Sequence, residues 1–297
     1  MEHVRWLVEP TDLTTELGIK NPVVVIAFTG WNDAGDAAST AVHTLVTSTS
    51  ARVIAEIDPE IFTDFATVRP HVRLDEHRNR EIAWPTVGVW AASLPGTDVV
   101  LVLGPEPALR WRLFSEHVVE LAEAVGATMV LTLGALLADV PHTRPTHIVA
   151  TASDDLLNER FDLERPSYEG PTGIVGVVQH ALGRAGIPTA ALWAAVPGYA
   201  SQVPSPRAAI ALIERACSMM GTPSPTSALG GEVIRYDAQI AALIDDDEDL
   251  TTYVRRLEAM ADEMADDDEP GIDDTDPERL AAEVEQFLRD RDRDSNS

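Results

Sequence analysis

Val23-Val24-Val25-Ile26-Ala27-Phe28-Thr29-Gly30-Trp31-Asn32-Asp33-Ala34-Gly35-Asp36-Ala37-Ala38 sets out a buried strand, a tight turn and a helix start in sixteen residues. Six apolar residues in a row, rich in β-branched side chains, leave no polar face for water, as in a strand covered on both sides within a parallel sheet. The chain is therefore read as α/β. Gly30 and Gly35 bracket the turn, and Asp33 with Asp36 resembles a capping pair for an apolar helix running from Ala37 to Val46. A strand end followed by a helix start is also where open α/β sheets place their sites.

The same alternation continues on both sides of this stretch. Strands are expected at Arg5 to Val8, Val23 to Thr29, Arg52 to Ile57, Glu81 to Ala91, Val99 to Leu103, Thr128 to Leu133, His147 to Ala152 and Thr189 to Ala195. Helical periodicity marks Asp36 to Val46, Leu109 to Val125, Thr172 to Ala185 and Ser205 to Met220. Between Val68 and Trp84 the sequence is strongly charged and alternates like an exposed ribbon protruding from the main sheet. The expected organisation is a core domain over residues 1–220, a Gly/Pro/Ser-rich linker over 221–231 and an acidic, amphipathic-helical extension over 232–297. In that extension Val233, Tyr236, Ile240 and Leu243 share one helical face. Leu250, Tyr253, Val254, Leu257, Met260, Ala261 and Met264 form a second stripe, and Leu280, Val284, Phe287 and Leu288 a third. Such stripes need a surface, on their own domain or on another subunit.

The chain has 297 residues and a net charge of −27, from 49 acids against 22 bases, only one of which is a lysine, Lys20. That balance repels phosphate backbones and anionic lipid, which argues against nucleic-acid and membrane-surface partners. The excess is uneven: from Glu232 onward there are 23 acids and 7 arginines, a net of −16. No apolar run approaches the roughly 20 residues of a membrane span, and the N-terminus lacks a leader pattern, so a cytoplasmic location is expected. Cys217 is the only cysteine, which excludes an internal disulfide; its neighbours Ile210, Ile213 and Met220 mark it as a buried structural thiol.

Catalytic motifs fail one by one. Without Gly-Lys-Ser or Gly-Lys-Thr there is no phosphate-binding P-loop, and there is neither a Gly-x-Ser-x-Gly elbow nor a His-Glu-x-x-His zinc motif. The glycines of Gly170-Pro171-Thr172-Gly173-Ile174-Val175-Gly176 depart from the dinucleotide spacing, and Gly173 and Gly176 read as close-packing positions. Asp139, His142 and His147 make a weak metal set, read instead as hydrogen-bonded structure. The acidic run from Asp266 to Pro277 fails as a calcium loop, because Pro270 and Pro277 stand at ligand positions. Neither a cofactor nor a metal is expected.

Several of these segments resemble, in order, the proteasome assembly chaperone 2 family, of which actinobacterial-type members are similar to this chain over roughly its first 220 residues. They are Phe28 to Gly35; Leu103-Gly104-Pro105-Glu106-Pro107 with Arg110-Trp111; Leu133 to Pro145; Tyr168 to Ile174; and Val196-Pro197-Gly198-Tyr199. The resemblance implies a three-layer α/β/α sandwich, similar to the phosphorylase/hydrolase-like group, with a mostly parallel central sheet, a C-terminal helical extension and pairing through the core domain. It also implies docking on proteasome α-rings through a C-terminal hydrophobic-Tyr-any tripeptide, whereas this chain ends Asp294-Ser295-Asn296-Ser297. Gly198 stands where the family usually has histidine, so no role passes to it.

Two functions follow as expectations. The leading one is a non-enzymatic binding or assembly protein that self-associates as a homo-oligomer, a trimer among the forms, with a proteasome-related protein partner. The alternative is a small-molecule binding protein or enzyme with its site at the carboxyl edge of the sheet, built from Asn32, Asp33, Glu106, His142 and Thr172.

Overall fold

Val23–Phe28 lies at the middle of an eight-stranded sheet because neither of its faces can be given to water. In the computed structural model, which describes residues 2–267, Val23, Val25 and Ala27 pack into one core cluster and Val24, Ile26 and Phe28 into another, on the opposite face. Burying one large aliphatic or aromatic side chain contributes about 1.5–3 kcal/mol, so this single strand anchors both halves of the molecule.

In chain order the elements are β1 (Val4–Trp6), α1 (Leu13–Leu17), β2 (Val23–Thr29), α2 (Ala37–Ser48), β3 (Arg52–Ile57), β4 (His71–Leu74), β5 (Arg80–Ala83), β6 (Val87–Leu94), β7 (Thr97–Pro105) and α3 (Trp111–Ala124). They continue with β8 (Met129–Ala138), β9 (Ile148–Ala152), α4 (Asp155–Phe161), α5 (Ile174–Arg184), β10 (Thr189–Pro197), α6 (Pro206–Met220), α7 (Gly230–Asp245) and α8 (Glu248–Asp267). The main sheet has the order β1-β3-β6-β7-β2-β8-β10-β9. Its centre, β7-β2-β8-β10, is parallel, while β6, β3, β1 and β9 join by antiparallel pairing. Five of the eight strands therefore point the same way. Helices α2 and α6 cover one face and α3 and α5 the other, completing the three-layer α/β/α sandwich.

Strand cores follow the sequence, and their ends differ for physical reasons. The expected strand Glu81 to Ala91 divides at Pro85, which has no N–H for a ladder; β5 turns out to pair with β4 alone, and β6 enters the main sheet. Strands β7, β8 and β10 run on to Pro105, Ala138 and Pro197 because neighbouring strands supply partners that far. Two short helices, α1 and α4, carry too few residues to show a period; α4 is announced only by Asp154, whose carboxylate accepts from the amides of Leu156 and Leu157. Cys217 is buried as expected, and burial pushes its thiol up to about 11.

Helix α7 begins at Gly230, directly after Leu229, which is buried in the core beside α6. Tyr236 and Ile240 of α7 pack with Ala200, against Tyr199 and Val203, and Val254 and Leu257 of α8 are also buried. The first two amphipathic stripes thus find part of their cover on their own chain, though Leu243, Met260 and Met264 stay exposed. The third stripe, most of the acidic break after Asp266 and the segment from Arg289 to Ser297 lie outside the described residues. No helix among the described residues is long and apolar enough to cross a membrane.

Candidate functional site

At the carboxyl edge of the sheet, the loops after β2 and β7 meet the start of α5. Gly30, with φ of +120°, turns the chain out of β2, and an added Cβ there would already touch Glu106. The loop is then pinned twice: the Glu106 amide donates to the Thr29 carbonyl, and the Ala135 amide of β8 donates to the Asn32 carbonyl. These backbone bonds bring Asn32, only 1% exposed, beside Glu106. The Asn32 Nδ2 donates to Glu106 Oε1 at 2.8 Å, and the same oxygen accepts the amide of Ile174, first residue of α5, at 2.9 Å. Gly173, the residue before that helix, has no side chain to cap it. Glu106 therefore caps α5 from another strand, with its charge at the favourable, positive helix end. Gly173 must be glycine for this to happen, since a Cβ would fall 2.2 Å from Asn32 Oδ1.

Asp33 does the equivalent for its own helix. Its Oδ1 accepts from the amides of Ala38 at 2.7 Å and Ser39 at 3.1 Å. Asp36, expected to share that work, adopts a left-handed backbone and its side chain makes no capping bond, because Asp33 already holds those amides. Burial pushes the Asp33 carboxyl above its ordinary value, against the pull of hydrogen bonds from Ser39 and Ala38. Asn32 Oδ1 and Asp33 Oδ2 are buried without a hydrogen-bond partner among the described residues.

Four of the five expected residues are thus placed together at this edge: Asn32 and Glu106 joined by a hydrogen bond, Asp33 buried and bonded to its own helix, and Thr172 exposed next to Gly173. His142, past the carboxyl end of β8, is bonded to a different set of partners. Its ring Nδ1 lies 2.7 Å from Tyr199 Oη, and the same hydroxyl accepts the His142 amide at 2.8 Å. Burial lowers the His142 ring below the ordinary histidine value, opposed by Asp237 and Glu258, and pushes the Tyr199 hydroxyl up to about 12. Both shifts favour an uncharged ring beside a phenol that keeps its proton.

Around this pair the loop after β8 is gripped by the C-terminal helices. Tyr253 Oη donates to Asp139 Oδ1 at 2.6 Å, Thr143 Oγ1 donates to Glu258 at 2.6 Å, and Arg144 forms a two-pronged pair with Asp262 at 2.6 and 2.7 Å. Arg207 of α6 holds Asp237 of α7 in the same manner. Tyr199 and Arg144 stand inside motifs of the sequence that give neither a role, and no local sequence signal pairs them with helices that lie up to 118 positions further on. Asp139 and His142 are thus engaged in structural bonds, and among the described residues no group of three or more His, Cys, Asp or Glu is placed to hold a metal.

Tyr199→Phe is expected to cost about 1–2 kcal/mol, since it removes one acceptor and one donor from half-buried groups. Because the folded His142 titrates below its unfolded value of 6.5, its contribution is present above that pH and is lost as pH falls through the folded value. Urea unfolding at pH 7.5 and 5.5 checks both, and a Tyr199→Phe curve coincident with the parent at pH 7.5 would remove the hydroxyl from the account.

The model of the PAC2 family matches residues 27–244. A search of curated proteins returned no match. Among solved structures, the chain is similar to a PAC2 family protein from Streptomyces avermitilis, at 43% identity and a TM-score of 0.74, covering 78% of this chain and 99% of that one. It is similar to a proteasome-assembly chaperone homologue from Mycobacterium tuberculosis at 42% identity and a TM-score of 0.70, again covering 78% and 99%. An archaeal proteasome activator from Pyrococcus furiosus shares the fold, with a TM-score of 0.63 at 14% identity over 82% of this chain and 99% of that one.

Proposed function

The chain belongs to the PAC2 family, and from that premise we propose that it is a non-enzymatic, oligomeric binding and assembly protein with a proteasome-related protein partner, acting in the cytoplasm. The observation that carries this reading is how the polar groups at the carboxyl edge are used. Glu106 Oε1 is held by Asn32 and Ile174, and Asp33 Oδ1 by two helix amides, so the residues best placed for chemistry serve as joints between loops. In this reading Asn32, Asp33, Glu106 and Thr172 fix the shape of a surface, and residues 232–297 form an extension that completes it beyond the linker at 221–231. Kinship with a chain described as a proteasome-assembly chaperone homologue supports the choice of partner.

The test is affinity purification of the full chain from its own lysate, followed by native mass measurement. Enrichment of proteasome α-subunits in species smaller than the finished particle is expected. Recovery of an oligomer with no α-subunits would remove the partner, and a strict monomer would remove the self-association.

A second reading rests on one specific observation, the unpartnered buried oxygens Asn32 Oδ1 and Asp33 Oδ2. A small ligand carrying hydrogen-bond donors would satisfy both. Under that reading a hydroxylated or cationic metabolite raises the melting temperature of the parent chain but not of Asp33→Ala; a panel that shifts neither leaves the assembly reading alone.

A further inference from the structure

The ribbon formed by β4 and β5 stands apart from everything else the chain builds. It pairs only with itself: Val72 lies opposite Ile82 and Leu74 opposite Arg80, in a two-stranded sheet without a third strand. Its turn is closed by Asp75, whose carboxylate takes the Asn79 amide at 2.7 Å and the Asn79 side chain at 2.9 Å. Alternation puts Val72, Leu74 and Ile82 on one face, and they are 51%, 58% and 50% exposed. An isolated hairpin is marginal in water, and an apolar face of this kind marks a contact surface.

Its charge identifies what covers it. From Val68 to Trp84 there are four arginines and two histidines against three acids, a net positive stretch in a chain of net −27. None of Arg69, Arg73, Arg78 and Arg80 has an ion-pair partner among the described residues. The complementary surface is on the same chain but at another place. Between Glu232 and Asp267 acids outnumber arginines twelve to three. The turn from α7 to α8, Asp245-Asp246-Asp247-Glu248-Asp249, is exposed throughout. Beside it Leu243 is exposed, and toward the end of α8 so are Met260 and Met264, on the face that buries Leu257 earlier in the helix. One patch is apolar with a basic rim and the other apolar with an acidic rim.

We propose that the β4–β5 ribbon seats on the α7–α8 pair of a second copy of this chain, an inference that rests on the self-association argued above and names the surfaces that make it. The two patches differ, so the contact is head-to-tail, and repeating it closes a ring when the rotation allows. Burying the apolar face gives the contact its strength, and the opposed charges set its register.

Sedimentation and native mass of the full chain at low salt test this. The parent is expected to be an oligomer. Leu74→Asp should weaken its association roughly thirtyfold, and the pair Arg78→Glu in the turn with Arg80→Glu, opposite Leu74 on the apolar face, about tenfold. Adding Asp245→Arg and Asp246→Arg to that arginine pair should restore most of the loss. All these positions are exposed, and circular dichroism will report that the variants fold. An oligomer indifferent to both ribbon changes overturns the ribbon surface while leaving self-association intact. Loss without restoration overturns the α7–α8 pair as its seat, and a strictly monomeric parent overturns the inference and the self-association together.

Discussion

Glu106→Ala is expected to lower the stability of the folded chain by about 3–5 kcal/mol. One carboxylate oxygen accepts both the Asn32 amide group, at 2.8 Å, and the Ile174 backbone amide, at 2.9 Å. Hydrogen bonds to a charged acceptor are worth about 1.5–3 kcal/mol each, and the alanine leaves two donors without a partner where water has little access. Gly173 cannot take over, having no side chain, and Asn32 is packed too closely against it to turn away. Glu106→Gln keeps a carbonyl oxygen in the same place and should cost only about 1–2 kcal/mol. Denaturant unfolding measures both, and hydrogen exchange should find the start of α5 opened in the alanine variant. A loss under 1 kcal/mol for alanine would mean that the three loops are held by packing alone.

Asp33→Ala should cost about 2–3 kcal/mol, because it strips the cap from α2 at a position that is 5% exposed. The pH dependence of this residue runs opposite to that of a salt-bridged acid. Burial raises its carboxyl above the ordinary 3.8, so the folded chain holds the proton more tightly than the unfolded chain does. Its contribution favours folding at low pH and is lost as pH rises from 3.8 through the folded value. Asp33→Asn retains an oxygen for the Ala38 and Ser39 amides and carries no charge. Relative to the parent it should therefore gain stability between pH 4 and pH 7, in urea melts at the two values. A tilt in the other direction would show that the cap amides stabilise the carboxylate more than burial penalises it.

Much of the scaffold was legible because it depends on short stretches of sequence. Six apolar residues told the two-sided burial of β2, and charge alternation told the ribbon from Val68 to Trp84. The site was legible only as a set of addresses. Asn32, Glu106 and Ile174 are separated by 74 and 68 positions, and their meeting depends on the register of β2 against β7 and on where α5 starts. His142 was grouped with them as another residue following a strand. But β8 continues to Ala138, past the expected end at Leu133, and carries the next loop outward to Tyr199 and the C-terminal helices. The apolar face of the ribbon was missed for a related reason: charge dominates its composition, and only pairing reveals that Val72, Leu74 and Ile82 are neighbours.

The margins of the main sheet bear on how this chain behaves at high concentration. Strand β1 offers a border of three residues, and the outer side of β9 is already met by the backbone of Glu164, which exchanges hydrogen bonds with Ala150 and Ala152. A foreign strand thus finds almost no ladder to extend, and the large sheet is guarded against fibril-like stacking and against peptides that bind by adding a strand. Recognition by the main body has to be carried by side chains, which can be altered one at a time without disturbing the sheet beneath them.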